Sequence, residues 1–119
     1  MKFLIVDDSS VVRLAIERDL ETGQIAEIDQ AADGVEAVRL YEEKKHDVIT
    51  LDITMPRMDG LTCLDNLLNI NPEAKILIIS ALRDRPTALL ALKRGASGFL
   101  CKPINPDELR EAIELLLND

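Results

Sequence analysis

Aromatic side chains are almost missing from this chain: they make up 3% of 119 residues, against 47% that are hydrophobic. The core must therefore be aliphatic, and a stacking platform for single-stranded nucleic acid is excluded. Surplus positive charge is missing as well. A net charge of −8 leaves no basic surface for a phosphate backbone, so direct nucleic-acid contact is not expected. Cysteine occurs only as Cys63 and Cys101, both in apolar surroundings. That predicts two reduced thiols in or near the core, as in the cytosol, and no disulfide framework. His46 is the single histidine; alone it builds no metal cluster, and its predicted place is the turn before a strand. The amino-terminal apolar run is short, from Phe3 to Val6 between Lys2 and Asp7. It can form neither a signal peptide nor a membrane span. A cytoplasmic chain that contacts no membrane is expected.

What is present is a globular composition, with 30% charged residues and enough length for one core. Phe3 to Val6 predict a buried strand, and Asp7, Asp8, Ser9 and Ser10 suit the start of a helix. That helix carries Val12, Ala15, Ile16 and Leu20 at helical spacing, with Val11 and Leu14 widening its apolar face, and ends near Thr22-Gly23. Ile25 to Ala31 read as a weaker strand near the sheet edge. Asp33 and Glu36 form a capping-box pattern ahead of Ala37, Val38, Leu40 and Tyr41. Asp47 to Leu51 predict a strand ending at Asp52, where Pro56 and Asp59-Gly60 force a loop. A helix over 61–68 follows, broken by 69–72. Lys75 to Ile79 predict the most apolar strand, stopped at Ser80-Ala81. A helix starting near Asp84 to Pro86 ends at Gly95, and Gly98 to Cys101 form the last strand. Asn105, Pro106 and Glu108 open a final helix bearing Leu109, Ala112, Ile113, Leu116 and Leu117. Strand and helix thus alternate five times. Strands that are apolar on both faces predict an α/β fold, a flavodoxin-like (βα)5 unit with a five-stranded parallel sheet and helices on both faces. One domain over 1–119 is expected, without linker or repeat.

The chemistry gathers where the strands end. Asp7 and Asp8 follow the first strand, Asp52 the third, Ser80 the fourth and Lys102 the fifth. In a parallel sheet these ends share one edge, where open α/β sheets bind ligands. The strand order 2-1-3-4-5 is adopted from known sheets of this class and puts the third strand at the centre. Three converging carboxylates repel one another unless a cation joins them. Hard oxygen donors suit Mg²⁺, whereas zinc wants Cys or His. A lysine and a hydroxyl opposite supply donors for an anion. The set fits a carboxylate, a divalent metal and a phosphoryl group together. Each has a blander reading: Asp7 and Asp8 as helix caps, Ser80 as a turn residue, Lys102 as a surface lysine.

These residues carry a resemblance. Asp7-Asp8, Asp52-x-x-Met55-Pro56 with Asp59-Gly60, Ser80-Ala81, and Gly98-Phe99 ahead of Lys102-Pro103 make the chain similar to a response-regulator receiver domain of the single-domain chemotaxis type. The likeness runs from Leu4 to the final helix. It implies that Asp52 accepts a phosphoryl group from the phosphohistidine of a sensor histidine kinase or its phosphotransfer domain. It implies Mg²⁺ held by Asp8, Asp52 and the Thr54 main-chain carbonyl, with Asp7 acting mainly through water on the metal. Ser80 would hydrogen-bond the phosphoryl group, Lys102 would pair with it, and the bond between Lys102 and Pro103 would be cis. Ser80 and Phe99 would switch an output face made by the fourth helix, fifth strand and fifth helix, around Arg85, Lys93, Phe99 and Arg110. A downstream protein or domain would bind there. The chain would be a phosphoacceptor that catalyses its own phosphorylation and dephosphorylation, with no separate enzyme activity.

The chain also departs from the family's best-known pattern. Phe99 stands where a tyrosine is common. Thr54 and Leu82, two residues beyond Asp52 and Ser80, lack the amide and carboxylate that orient attacking water in some relatives, so a long-lived phosphorylated state is expected. Three other readings compete. A haloacid-dehalogenase-type phosphatase wants an acid where Thr54 stands. A flavin carrier wants a phosphate-cradling loop and aromatics. A degenerate receiver would lack the acceptor set that is present here. A stand-alone protein fits the sequence, and so does a receiver cut from a longer regulator with an output domain.

Overall fold

In the computed structural model, residues 1–20, 27–55 and 57–118 are described, Leu82 by its backbone alone. Five parallel strands, β1 (Lys2–Val6), β2 (Glu27–Ala31), β3 (Val48–Asp52), β4 (Ile76–Ser80) and β5 (Gly98–Cys101), form one sheet. Their order is β2-β1-β3-β4-β5, the one adopted from known sheets of this class. The helices are α1 (Ser10–Leu20), α2 (Gly34–Lys44), α3 (Gly60–Ile70), α4 (Arg85–Lys93) and α5 (Pro106–Leu117), with a single 3-10 turn at Leu82–Asp84 before α4. β3 and β4 are buried at all five positions, as central strands covered on both faces must be. β2, at the edge, is only partly buried.

Alternation along the strands divides the core in two. Phe3, Ile5, Val48, Leu77 and Ile79 face one side, where Ile16 and Leu20 of α1 and Leu109, Ile113 and Leu116 of α5 cover them. Leu4, Val6, Ile49, Leu51, Ile76 and Ile78 face the other, against Ala37 and Tyr41 of α2, Cys63, Leu64 and Leu67 of α3, and Ala88 and Ala91 of α4. This second core is built from aliphatic side chains around one tyrosine.

Local chemistry sets the helix ends. Asp33 accepts from the Glu36 N–H at 2.9 Å, Asp59 from Thr62 at 2.9 Å, and Asn105 from Asp107 at 2.8 Å and Glu108 at 3.2 Å. At α1 the cap is Ser9, whose hydroxyl accepts from Val12 at 3.3 Å. Past α4, Gly95 takes a φ of 119°, a conformation that costs glycine least.

Two expectations need correction. α3 runs to Ile70 rather than stopping at 68, because the Asn71 N–H still reaches the Leu67 carbonyl at 3.0 Å, and only Pro72 ends the run. α1 does not bury a wide face: Val11 is 75% and Leu14 54% exposed, and Ala15 is exposed too. Its core contact is a narrow stripe through Ile16 and Leu20, four residues apart. The two cysteines lie in and near the core as expected, Cys63 buried and Cys101 half-buried, and both are free thiols. Burial pushes the Cys63 thiol up to about 12, with Asp33 and Asp59 adding to it. The expected cap at Gly23 and strand start at Ile25 lie outside the described residues.

His46 sits buried in the turn before β3, as expected. Its Nε2 lies 2.7 Å from Asp29 Oδ2, and its ring stacks near Tyr41 at 6.2 Å between centroids. Burial works against the Asp29 charge, but hydrogen bonds from His46 and Lys44 outweigh it and hold that carboxyl below its usual value. This cluster ties edge strand β2 to the α2–β3 turn. Among the described residues no helix is long and apolar enough to cross a membrane.

Candidate functional site

Register brings the strand ends level. Val6 pairs with Leu51, Asp52 with Ile79 and Ser80 with Cys101. The residues just past these pairs, Asp7, Asp52, Ser80 and Lys102, therefore meet at one edge of the sheet. Asp7 continues β1 far enough for its N–H to reach the Ala31 carbonyl at 3.1 Å. Its carboxylate then accepts from the Ser9 N–H at 2.9 Å, which turns the chain and leaves Asp8 exposed beside it. Arg13 of α1 holds that loop, donating to the Asp7 carbonyl at 2.6 Å and to Gln30 at 3.1 Å.

Beyond Asp52 the chain is pinned by glycine. The Gly60 N–H donates to the Ile53 carbonyl at 2.8 Å. A Cβ on Gly60 would stand 2.5 Å from Ile53 Cα and 2.7 Å from the Asp52 carbonyl oxygen. The first turn of α3 thus packs on the backbone that carries Asp52, at a distance only glycine permits. Arg57, in this loop, has a φ of 68° and lies 3.3 Å from Asp33.

Carboxylate oxygens of Asp7, Asp8 and Asp52 all lie within 4.8 Å of one another. Asp7 and Asp52 are buried, at 1% and 5% exposure. Lys102 lies against both, its Nζ 3.0 Å from Asp7 Oδ2 and 3.5 Å from Asp52 Oδ1. Burial first, then the charge of Asp7, raise the Asp52 pKa from 3.8 to about 6. Lys102 and the Thr54 main-chain N–H pull against that shift. Burial works against the Lys102 charge, but the bond to Asp7 and the charge of Asp52 outweigh it and raise its pKa. The donor set is oxygen alone and carries more negative than positive charge, which fits a hard divalent cation. Across the edge, the Ser80 hydroxyl is fully buried and has no hydrogen-bond partner among the described residues. An unpaired buried hydroxyl costs stability, so it is suited to a ligand that can accept from it.

Four of the expected residues, Asp7, Asp8, Asp52 and Lys102, form one contact cluster, and Ser80 flanks it. Thr54 follows Asp52 closely, but its hydroxyl turns away and donates to Asp84 Oδ2 at 3.2 Å. Phe99 pairs with Ile78 in register, two residues short of the edge, and is half-buried against the α4-side core. The Lys102–Pro103 peptide is cis. Sequence reasoning missed Arg13 and Asp84. Nothing local marks Arg13, whose partners come from β1 and β2. Asp84 carried one signal, Pro86 two residues on, which has no N–H for it to cap.

A family model described as the response regulator receiver domain matches residues 3–114. The chemotaxis protein CheY of Listeria monocytogenes is 40% identical over 114 residues, covering 96% of each chain. Among solved structures, a response regulator receiver domain protein from Clostridium thermocellum superimposes with a TM-score of 0.92 at 31% identity, over 98% of this chain and 94% of that one. A chain of the CheX-CheY-BeF3-Mg+2 complex from Borrelia burgdorferi matches with a TM-score of 0.92 at 35% identity, over 98% of this chain and 89% of that one.

Proposed function

Because the chain belongs to the response regulator receiver domain family of two-component systems and is CheY-like along nearly its whole length, we propose that it accepts a phosphoryl group on Asp52. The donor is the phosphohistidine of a sensor histidine kinase or its phosphotransfer domain, met in the cytoplasm. One observation carries the reading: a buried carboxylate, Asp52, shares a lysine with Asp7 inside a three-carboxylate cluster. As plain helix caps, Asp7 and Asp52 would have no reason to converge on one half-buried lysine.

An Asp52 oxygen attacks phosphorus, the bond from phosphorus to the histidine nitrogen breaks, and the nitrogen keeps the electron pair. The attack needs an ionised carboxylate, and a pKa of about 6 leaves Asp52 mostly ionised at neutral pH. Asp7, Asp8 and Asp52 with the Thr54 main-chain oxygen would hold Mg²⁺, which when bound supplies positive charge to offset the carboxylates and the phosphoryl oxygens. Lys102 neutralises a phosphoryl oxygen, and the Ser80 hydroxyl donates to another. That bond draws the segment after β4 inward and changes the room available to Phe99. The exposed face of α4, β5 and α5, with Arg85, Lys93 and Arg110, changes with it and binds the output partner. The chain is a phosphoacceptor that promotes its own labelling and its own loss of label.

Incubation with acetyl phosphate and Mg²⁺ tests this reading. One phosphoryl group per chain, absent from Asp52→Asn, is the expected result. Continuous release of phosphate without accumulating label would mean a phosphatase instead.

A further inference from the structure

Arg13 stands on α1 one helical turn before Glu17, and at that spacing an arginine and a glutamate ordinarily pair with each other. Here the pair is bridged rather than direct. The Arg13 guanidinium reaches off the helix, donating to the Asp7 carbonyl at 2.6 Å and, from Nε, to Gln30 Oε1 on β2 at 3.1 Å. Gln30 Nε2 donates in turn to Glu17 Oε2 at 3.1 Å. A guanidinium only donates and a carboxylate only accepts, so the Gln30 amide between them has one orientation that satisfies both. The bonds therefore run from Glu17 through Gln30 and Arg13 to a single main-chain oxygen. All three side chains belong to half-buried residues, where a charge-assisted bond holds better than it would in water.

That oxygen belongs to the peptide joining Asp7 to Asp8. A peptide is planar, so fixing its oxygen also fixes the Asp8 N–H and the direction in which Asp8 leaves the turn. Asp7 is held elsewhere too, by its N–H on Ala31 and by its carboxylate on Ser9 and Lys102. Asp8 is exposed, and no hydrogen bond or ion pair holds its carboxylate among the described residues. Its aim depends on its backbone. Mg²⁺ demands near-ideal octahedral geometry, whereas Ca²⁺ accepts looser and more variable shells. We propose that Arg13 is a positioning residue for the metal ligand Asp8, acting through the Asp7–Asp8 peptide, and that it tunes the site toward Mg²⁺ over Ca²⁺. The inference rests on Asp7, Asp8 and Asp52 holding the metal. Its sign separates it from plain electrostatics. By charge alone, a guanidinium in contact with Asp7 repels a metal ion, so removing it would tighten binding. As a positioning group, its removal loosens binding instead.

Amide resonances followed through Mg²⁺ and Ca²⁺ titrations, on unphosphorylated protein with no donor present, give both dissociation constants without reference to activity. Arg13→Met, which keeps the apolar stem, should weaken Mg²⁺ binding about tenfold, the usual effect of losing a group that orients a metal ligand. It should weaken Ca²⁺ binding clearly less. Gln30→Met leaves Arg13 in place without its brace and should weaken Mg²⁺ binding by a smaller factor. The double variant should match Arg13→Met, since Gln30 acts only through Arg13. Unchanged or tighter Mg²⁺ binding in Arg13→Met would overturn the inference, as would equal weakening of both metals or a double variant weaker than Arg13→Met. Should Arg13→Met fold poorly, Gln30→Met decides alone, and an unchanged preference for Mg²⁺ there overturns the inference. A wild type whose resonances ignore Mg²⁺ would overturn the metal site itself, and this inference with it.

Discussion

The Lys102 ammonium lies 3.5 Å from the Asp52 carboxylate and 3.0 Å from that of Asp7. It is the only cation paired with either of these buried carboxylates among the described residues. Lys102→Met keeps much of the apolar stem and leaves both acids uncompensated. It should destabilise the protein by on the order of 2 kcal/mol at neutral pH. The loss should shrink as pH falls below about 6, where Asp52 takes up its proton. Urea midpoints on either side of that pH check both statements.

Asp52 itself should cost stability when ionised. Its folded pKa is raised from 3.8 to about 6, so the folded protein holds this proton more tightly than the unfolded chain. The stability it contributes is fully present below about pH 4 and is lost as pH rises through about 6. Asp52→Asn has no proton to lose. In Mg²⁺-free buffer it should exceed the wild type by on the order of 2 kcal/mol at about pH 7 and match it near pH 4. Thermal melts across that range measure the gap, and a gap independent of pH would contradict this account.

Gly60→Ala should be severe for so small a change at the first turn of a helix. The added Cβ meets backbone, at 2.5 Å from Ile53 Cα and 2.6 Å from its carbonyl oxygen, so no side chain can move aside. A loss of about 3 kcal/mol is expected, together with slower labelling, because the strained segment carries Asp52. Denaturation and labelling by acetyl phosphate measured on the same variant would separate the two effects.

Much of this was legible in the sequence, for identifiable reasons. Asp52 stood out because β3 is apolar on both faces and stops against turn residues, so its end had to reach the sheet edge. Lys102 and Ser80 were legible for the same reason on β5 and β4. What stayed hidden depends on partners far along the chain. Val11 and Leu14 looked like core because helical spacing counts apolar residues without saying which stripe meets the sheet. Ile16 and Leu20 took that place. The Thr54–Asp84 bond joins two loops that no local pattern connects, and Pro86 was its only local trace.

Activation should be felt well beyond the cluster. Phe99 is half-buried against the α4-side core on the same strand face as Ser80, so movement after β4 reaches it through packing. Beryllium fluoride with Mg²⁺ should shift amide resonances at Phe99 and at Arg85, Lys93 and Arg110 on the α4–β5–α5 face. Changes confined to the surroundings of Asp7 and Asp52 would remove the output face from the account.

The central claim is that Asp52 carries the phosphoryl group, and locating the label tests it most directly. Borohydride reduces an aspartyl phosphate to homoserine, which peptide mass mapping then places in the chain. After labelling with acetyl phosphate and Mg²⁺, homoserine should appear at position 52 and be absent when donor is omitted. Homoserine at Asp7, Asp8 or Asp84, or label on a residue that borohydride does not reduce, would contradict the account.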